Sequence, residues 1–200
     1  MKINFFLKNN KGFTLLETLV AVGLLMVAVV GPLTIAQKSL SSSYYTRDRI
    51  TAYYLAQDAI EFVRSARDNA SLGYPVPPQK SAWGDFQGVF LTCFTTNGCE
   101  FDTTLNNINL SSNAAVTECQ GGLCRLMNYN KTTGWYNYSP ISGDTLTGNQ
   151  PSIFRRKINL VQSPFSPDEV QVKVTVSWRS AIFGPTERSF TLQDNLLNWQ

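Results

Sequence analysis

The sequence predicts an α+β fold in which one long N-terminal helix packs against a C-terminal antiparallel β-sheet. Three observations predict it: a membrane-length apolar stretch near the start, helical periodicity that continues to about residue 69, and strict alternation of apolar and polar residues within 154–192. Apolar residues recurring every three to four positions indicate a helix, and alternation indicates a half-buried strand. The apolar face of such a sheet needs a cover, which the outer half of the helix can provide.

The first element is an apolar helix preceded by three lysines, at positions 2, 8 and 11. Residues 15–35 carry a single charge, and about 21 helical residues are long enough to cross the hydrocarbon layer of a membrane. A cleaved secretory signal has a shorter apolar core and a small-x-small site, which is missing here. Positive residues stay on the cytoplasmic side. We therefore expect a single-pass membrane protein with its N-terminus inside.

Glu17 is the one charge inside this apolar stretch. Thr14 and Glu17 have the spacing of a capping box, and an acid in the first turn suits the helix dipole. A carboxylate at the middle of a membrane costs about 2.5–3.5 kcal/mol, and less near the interface. Pairing with an amine of a partner would also make a buried carboxylate tolerable. The residues alone leave both interpretations open.

The run Gly12-Phe13-Thr14-Leu15-Leu16-Glu17 resembles the cleavage and methylation signature of type IV pilins and type II secretion pseudopilins. The resemblance implies a type IV pilin-like fold and a prepilin peptidase that cuts after Gly12 and methylates the new amine of Phe13. It also implies that Glu17 neutralises the N-terminal amine of a neighbouring pilin subunit. The inner-membrane assembly platform would then draw the subunit from the membrane into an extracellular filament.

The chain divides by sequence into four segments. These are a leader peptide (1–12), a transmembrane or filament-core helix (13–36), its amphipathic continuation (37–70) and an extracytoplasmic β-rich domain (71–200). Proline inside a helix removes a hydrogen bond, so Gly31-Pro32 predicts a kink or a local break near the outer end of the span. Gly73-Tyr74-Pro75 predicts the end of the helix.

The amphipathic segment has an apolar face, which we expect to pack on the sheet, and a charged face. The predicted apolar face consists of Leu40, Tyr44, Ile50, Tyr53, Tyr54, Ile60 and Val63, and the charged face of Arg47, Asp48, Arg49, Asp58, Glu61, Arg64 and Arg67. The pattern Ala52-x-x-Leu55-Ala56-Gln57-Asp58-x-x-Glu61-x-x-Arg64 is similar to the same stretch of V-type minor pilins. That similarity favours a minor subunit over a major one.

Three strands are predicted from alternation, at 154–160, 170–178 and 188–192, the last after Gly184-Pro185. Joined by short turns, they form an antiparallel meander. Further short strands are predicted at 87–94 and 134–138.

Four cysteines lie in the segment expected outside the membrane, where disulfides persist. Cys93 and Cys99 enclose an Asn-Gly turn, and Cys119 and Cys124 enclose two glycines, so we favour these two local pairs. Four cysteines allow three connectivities. A four-thiolate zinc site is the competing interpretation, although one spacing is looser than usual for zinc.

Composition argues against several function classes. The chain has no histidine, and removal of residues 1–12 leaves equal numbers of basic and acidic side chains, so no dedicated nucleic-acid surface is indicated. No motif of nucleophilic, phosphate-binding or metalloprotease chemistry occurs. Five acids are interpreted as solvated loop residues: Asp85, Glu100, Asp102, Glu118 and Asp144. We expect neither catalysis nor a cofactor or metal.

The resemblance and the predicted architecture together suggest a minor type IV pilin. Within the same family, the alternative is an I-type minor pseudopilin of a type II secretion system, whose domain is usually smaller than the roughly 130 residues expected here. From another class, the chain could be a single-span membrane-anchored binding domain that never assembles.

Overall fold

The computed structural model describes residues 12–72, 82–104, 116–138, 148–179 and 186–198. The chain divides into two compact units, Met1–Tyr45 and Thr46–Gln200, and the boundary falls inside the first helix. The described part of the first unit is almost entirely helical. The second unit contains the rest of that helix and an antiparallel sheet, so the chain has the α+β architecture expected from its sequence.

Helix α1 extends from Leu15 to Ser71. It continues through Gly31-Pro32, so the predicted local break is wrong. Pro32 has no N–H to donate to the carbonyl four residues earlier. The Thr34 hydroxyl donates to the Gly31 carbonyl at 2.8 Å, which adds a local hydrogen bond at this turn. The predicted stop at 73–75 lies outside the described residues.

The face of α1 that packs in the second unit is made mainly of small residues. Its buried apolar members are Ala52, Leu55, Ala56, Ala59, Ile60, Val63, Ala66 and Ala70. Of the predicted apolar face, Ile60 and Val63 are buried, and Tyr53, although 42% exposed, packs edge-on against Phe190 of the sheet at a ring-centroid distance of 5.8 Å. Ile50 and Tyr54 are more than half exposed. Alanine adds little width to a helix, so strand residues can reach its backbone. Arg156 Nη1 does so, donating to the Leu55 carbonyl at 3.1 Å.

The predicted meander of three strands is confirmed, and four further strands complete the sheet among the described residues. The strands are β1 (Cys99–Phe101), β2 (Val116–Glu118), β3 (Leu126–Asn130), β4 (Tyr136–Asn137), β5 (Asn149–Gln162), β6 (Glu169–Trp178) and β7 (Arg188–Leu197). β6 pairs with β5 on one side and β7 on the other, all antiparallel. The other edge of β5 is shared, because β3 pairs with its first half and β1 with Ile158. The predicted turn at 184–185 lies outside the described residues.

The prediction of a strand at 87–94 is wrong. Helix α2 (Ala82–Val89) and a 3-10 turn (Leu91–Phe94) occupy this region. Within α2 the buried residues are Ala82, Trp83, Phe86 and Val89, a spacing of three to four that fits a helix better than a strand. The prediction at 134–138 is correct only for the two residues of β4.

The core of the second unit lies between α1 and the sheet. The inward residues of β6 are Val170, Val172, Val174, Val176 and Trp178, each at most 2% exposed. Aromatic rings continue this core, with Phe62 of α1 stacked on Phe101 of β1 at a centroid distance of 4.8 Å. At the far edge, Arg64 of α1 forms an ion pair of 2.7 Å with Asp194 of β7.

Candidate functional site

The start of α1 lies close to the Gly12–Phe13 peptide bond. Gly12, Phe13 and Thr14 are not helical, and Leu15 is the first helical residue. The Thr14 hydroxyl accepts a hydrogen bond from the Glu17 N–H at 3.2 Å, and the Thr14 carbonyl accepts one from the Thr18 N–H at 3.1 Å. Thr14 is therefore the N-cap of the helix.

Glu17 completes only half of the capping box. Its backbone N–H is bonded to Thr14, but within the described part of the chain its carboxylate has no hydrogen bond or ion pair. The cap therefore depends on the Thr14 side chain and the Glu17 backbone, not on the Glu17 carboxylate. The acid lies exposed in the first turn, where the helix dipole favours a negative charge.

A long apolar surface begins beside this acid. Every residue from 12 to 40 is exposed in the single chain, and Phe13 at the start is 80% exposed. The most apolar window of α1 has a mean hydropathy of 2.5, so by length and composition this helix can cross a membrane. Contiguous apolar surface of this extent needs a membrane or other protein chains to cover it.

Residues 7–31 match the family model described as the prokaryotic N-terminal methylation motif. The match includes Gly12, Phe13 and Glu17, and it supports a type IV pilin-like or pseudopilin-like protein. The apolar N-terminal helix fits a membrane-anchored protein of this kind. Neither a curated protein nor a solved structure matches the chain.

The four cysteines form two local disulfides in the second unit. Cys93 bonds to Cys99, joining the 3-10 turn to β1, and Cys119 bonds to Cys124 across a turn that contains Gly121 and Gly122. Both glycines have positive φ values, 57° and 78°, which side chains rarely adopt. Among the described residues, one group has metal-type ligands in reach of one another, namely Glu100 with Cys119 and Cys124. Its sulfurs are oxidised and offer no thiolate.

The interpretation of five acids as solvated loop residues is wrong for Glu100 and Asp102, which are buried, and Asp85 and Glu118 lie on a helix and a strand rather than on loops. Glu100 is 2% exposed on β1 and pairs with Arg125. Asp102 is 7% exposed and accepts hydrogen bonds from the Thr104 hydroxyl at 2.6 Å and the Tyr138 N–H at 2.8 Å. Asp85 is half-buried on α2, and Glu118 is exposed on β2. Asp144 lies outside the described residues.

A buried arginine, whose partners were not predicted from the sequence, joins α1 to the sheet. Arg156 of β5 is fully buried, and its guanidinium donates to the Leu55 carbonyl, to Asp58 at 2.9 Å and to the Phe101 carbonyl at 3.0 Å. Alternation places residue 156 on the same face as Phe154 and Ile158, so its inward direction was predictable. Its partner Asp58 could not be predicted, because the two residues are 98 positions apart in sequence.

Tyr138 packs beside this arginine, and its ionisation predicts how stability responds to alkali. Burial raises the pKa of Tyr138 from 10.0 to about 12, and its hydroxyl donates to the Arg156 carbonyl at 3.3 Å. The pKa of Tyr138 is higher in the folded than in the unfolded state, so the neutral side chain stabilises the fold. This contribution to the free energy of unfolding is complete below pH 10 and is lost as the pH rises towards 12.

We expect Tyr138→Phe to reduce the free energy of unfolding at pH 8 by about 1 kcal/mol, the net value of one hydrogen bond. Between pH 10 and 12 the wild type should lose stability faster than the variant, by up to about 1.4 kcal/mol per pH unit. Urea unfolding at each pH measures both curves. Since the other tyrosines are common to both proteins, parallel curves would contradict a buried, high-pKa Tyr138.

Proposed function

We propose that the chain is a minor type IV pilin, processed by a prepilin peptidase and incorporated into, or placed at the tip of, an extracellular filament. The observation that carries this proposal is the Glu17 carboxylate, which has no partner among the described residues and lies near the Gly12–Phe13 bond at the start of an exposed apolar helix. A plain membrane anchor needs no such acid. A subunit that must bind the N-terminal amine of a neighbouring subunit needs an acid at this position.

In this proposal residues 1–12 are the leader, which is removed after Gly12. Residues 13–36 anchor the chain in the inner membrane, with the three leader lysines on the cytoplasmic side, and later pack against other pilins in the filament core. Residues 37–70 and 71–200 form the part outside the membrane. The partners are the peptidase, other pilin subunits and the inner-membrane assembly platform.

The charge on Glu17 gives a physical reason for ordered assembly. In the membrane the carboxylate lies near the interface, where its cost is below the 2.5–3.5 kcal/mol of the bilayer centre. In a filament core the acid would be buried, so it needs a cation to offset desolvation. The methylated amine of Phe13 from a neighbouring subunit is such a cation, and it exists only after cleavage.

The similarity of residues 52–64 to V-type minor pilins favours a minor pilin over a major one. An I-type minor pseudopilin of a type II secretion system remains the second candidate, supported by the same motif in residues 7–31. The two are distinguished by location, because a minor pilin is found in sheared surface filaments and a pseudopilin stays with the secretion apparatus.

Processing tests the proposal directly. Expressed with a prepilin peptidase, the mature protein should begin at Phe13 and be heavier than that sequence by one methyl group, as measured by intact mass. Gly12→Val should accumulate as an unprocessed chain. Gly23→Val is the matched control, because a Cβ at either glycine meets no other atom within 4 Å, and it should be processed normally.

An intact Met1 start in the presence of active peptidase would contradict the proposal and support a single-span anchored binding domain. Equal loss of processing in Gly12→Val and Gly23→Val would indicate a general defect of the helix, and the cleavage assignment to Gly12 would fall.

A further inference from the structure

A cleft of about 520 Å³ opens on the second unit. Its walls are the outer face of α1 between Thr51 and Asp58, the turn at residues 103–104 that follows β1, and the segment 134–136 that leads into β4. This volume lies within the range of about 300–1,000 Å³ that is typical of small-molecule sites.

Aromatic side chains provide much of the cleft surface. Tyr54 is 64% exposed and Trp135 is 59% exposed, which is unusual for rings of this size. Tyr136 is half-buried beside them, and its burial raises the pKa of its hydroxyl, so the ring stays neutral. Three aromatic rings at one cleft offer negative π-faces to a positive group.

Each threonine hydroxyl of the cleft donates its hydrogen bond to another group of the protein. Thr51 donates to the Arg47 carbonyl at 3.1 Å, Thr103 to Asp58 at 2.6 Å and Thr104 to Asp102 at 2.6 Å. A hydroxyl that already donates can only accept from a ligand. The polar atoms that these residues present to the cleft are therefore acceptors, which select a ligand rich in hydrogen-bond donors.

Charge around the cleft is also negative. No lysine or arginine lines it among the described residues, and Asp58 does. Beneath it, buried Arg156 compensates Asp58, and Arg47 pairs with Asp48 at 3.2 Å. Asp102, which accepts hydrogen bonds from Thr104, has no cationic partner within the described chain. Among the charged groups named here, one negative charge is therefore not compensated.

We propose that this cleft binds a small organic cation, an amine or a quaternary ammonium group. The aromatic rings would surround the cation, and the threonine oxygens and the second oxygen of Asp58 would accept hydrogen bonds from an amine. A neutral ligand of the same shape gains the apolar contacts but neither the cation–π attraction nor the interaction with the uncompensated acid.

The test uses the full chain in a polyoxyethylene detergent, which carries neither a sugar nor an ammonium group. Choline, putrescine and the neutral carbon isostere of choline, in which a tert-butyl group replaces trimethylammonium, are titrated by calorimetry. We expect choline to bind at least about tenfold more tightly than its isostere. Tighter binding of choline than of putrescine assigns the cleft to quaternary ammonium groups, and the reverse order assigns it to primary amines.

Trp135→Leu should weaken binding of both cations by about tenfold. Phe165→Leu is the matched control, because Phe165 is 95% exposed and does not line the cleft, and its affinities should equal those of the wild type. Thr51→Val removes one acceptor and should weaken putrescine more than choline. Circular dichroism verifies that each variant is folded.

Three results would overturn the proposal. They are equal affinity for choline and its neutral isostere, unchanged cation affinity in folded Trp135→Leu, and no measurable binding of either choline or putrescine to the folded wild type. The processing and assembly experiments do not depend on this cleft, so its failure would leave the proposed pilin function intact.

Discussion

A subunit carrying Glu17→Ala is expected to enter the membrane normally and to be missing from sheared filaments. Loss of one partner of a buried ion pair costs about 3–5 kcal/mol, which corresponds to a reduction of more than about a hundredfold in incorporation. Membrane insertion should become slightly easier, because an exposed carboxylate is removed from an apolar helix. Quantitative immunoblots of the membrane and the sheared fraction measure both effects.

Thr14→Ala separates assembly from helix capping. In the structure the N-cap hydrogen bond joins the Thr14 hydroxyl to the Glu17 backbone N–H, so Glu17→Ala leaves it intact. Thr14→Ala removes that bond at a cost of about 1 kcal/mol but keeps the carboxylate. We expect Thr14→Ala and the charge-preserving Glu17→Asp to incorporate far better than Glu17→Ala. If Thr14→Ala abolishes incorporation as fully as Glu17→Ala does, the pairing role of the acid is refuted.

The second large effect concerns the ion pair between α1 and β5. We expect Asp58→Ala to lower the free energy of unfolding by about 3–5 kcal/mol, because it leaves the fully buried guanidinium of Arg156 without a counter-charge. Arg156→Met should cost less, about 1–3 kcal/mol. The carboxylate it leaves behind is 51% exposed and can be hydrated, so the main loss is that of the hydrogen bonds to the Leu55 and Phe101 carbonyls. The two costs differ because of burial. Arg156 cannot be hydrated when Asp58 is removed, whereas Asp58 can be hydrated when Arg156 is removed.

A double-mutant cycle measures this coupling. Asp58→Ala combined with Arg156→Met should be less destabilised than the sum of the single variants, by about 1–3 kcal/mol, since no stranded charge remains. Glu61→Ala on the same helix is the matched control. Its ion pair with Arg64 is 2.7 Å long but exposed, so we expect a change within about 0.5 kcal/mol. Additive single effects, or an equally large effect of Glu61→Ala, would contradict the role assigned to the buried pair.

The elements that could be predicted from sequence are those with a local signal. The apolar helix, its amphipathic continuation and the meander β5–β6–β7 each repeat a period of 3.6 or 2 over many residues, so neighbours reinforce the pattern. Helix α2 was missed because a strand was assigned to 87–94, which overlaps its C-terminal end. Strands β1 and β2, of three residues each, are too short for alternation to be read.

The choice of helix face could not be predicted from hydrophobicity alone. Tyrosines and isoleucines suggested one face, but the sheet packs on a face rich in alanine. The exposed Tyr54 instead lines the cleft with Trp135, which is 81 positions away in sequence and has no apolar pattern around it. Burial depends on how closely two elements approach, and small residues permit the closer approach.

By itself the sequence determined the α+β class and the motif in which Gly12, Phe13 and Glu17 stand together, because both depend on residues that are neighbours along the chain. Only the tertiary structure decided which residues that are distant in sequence come into contact. It placed Arg156 against Asp58, and it gathered aromatic rings and acceptor hydroxyls around one cleft. These arrangements join residues far apart in sequence, and the physical reason for each is the satisfaction of charges and hydrogen bonds once the sheet has folded onto the helix.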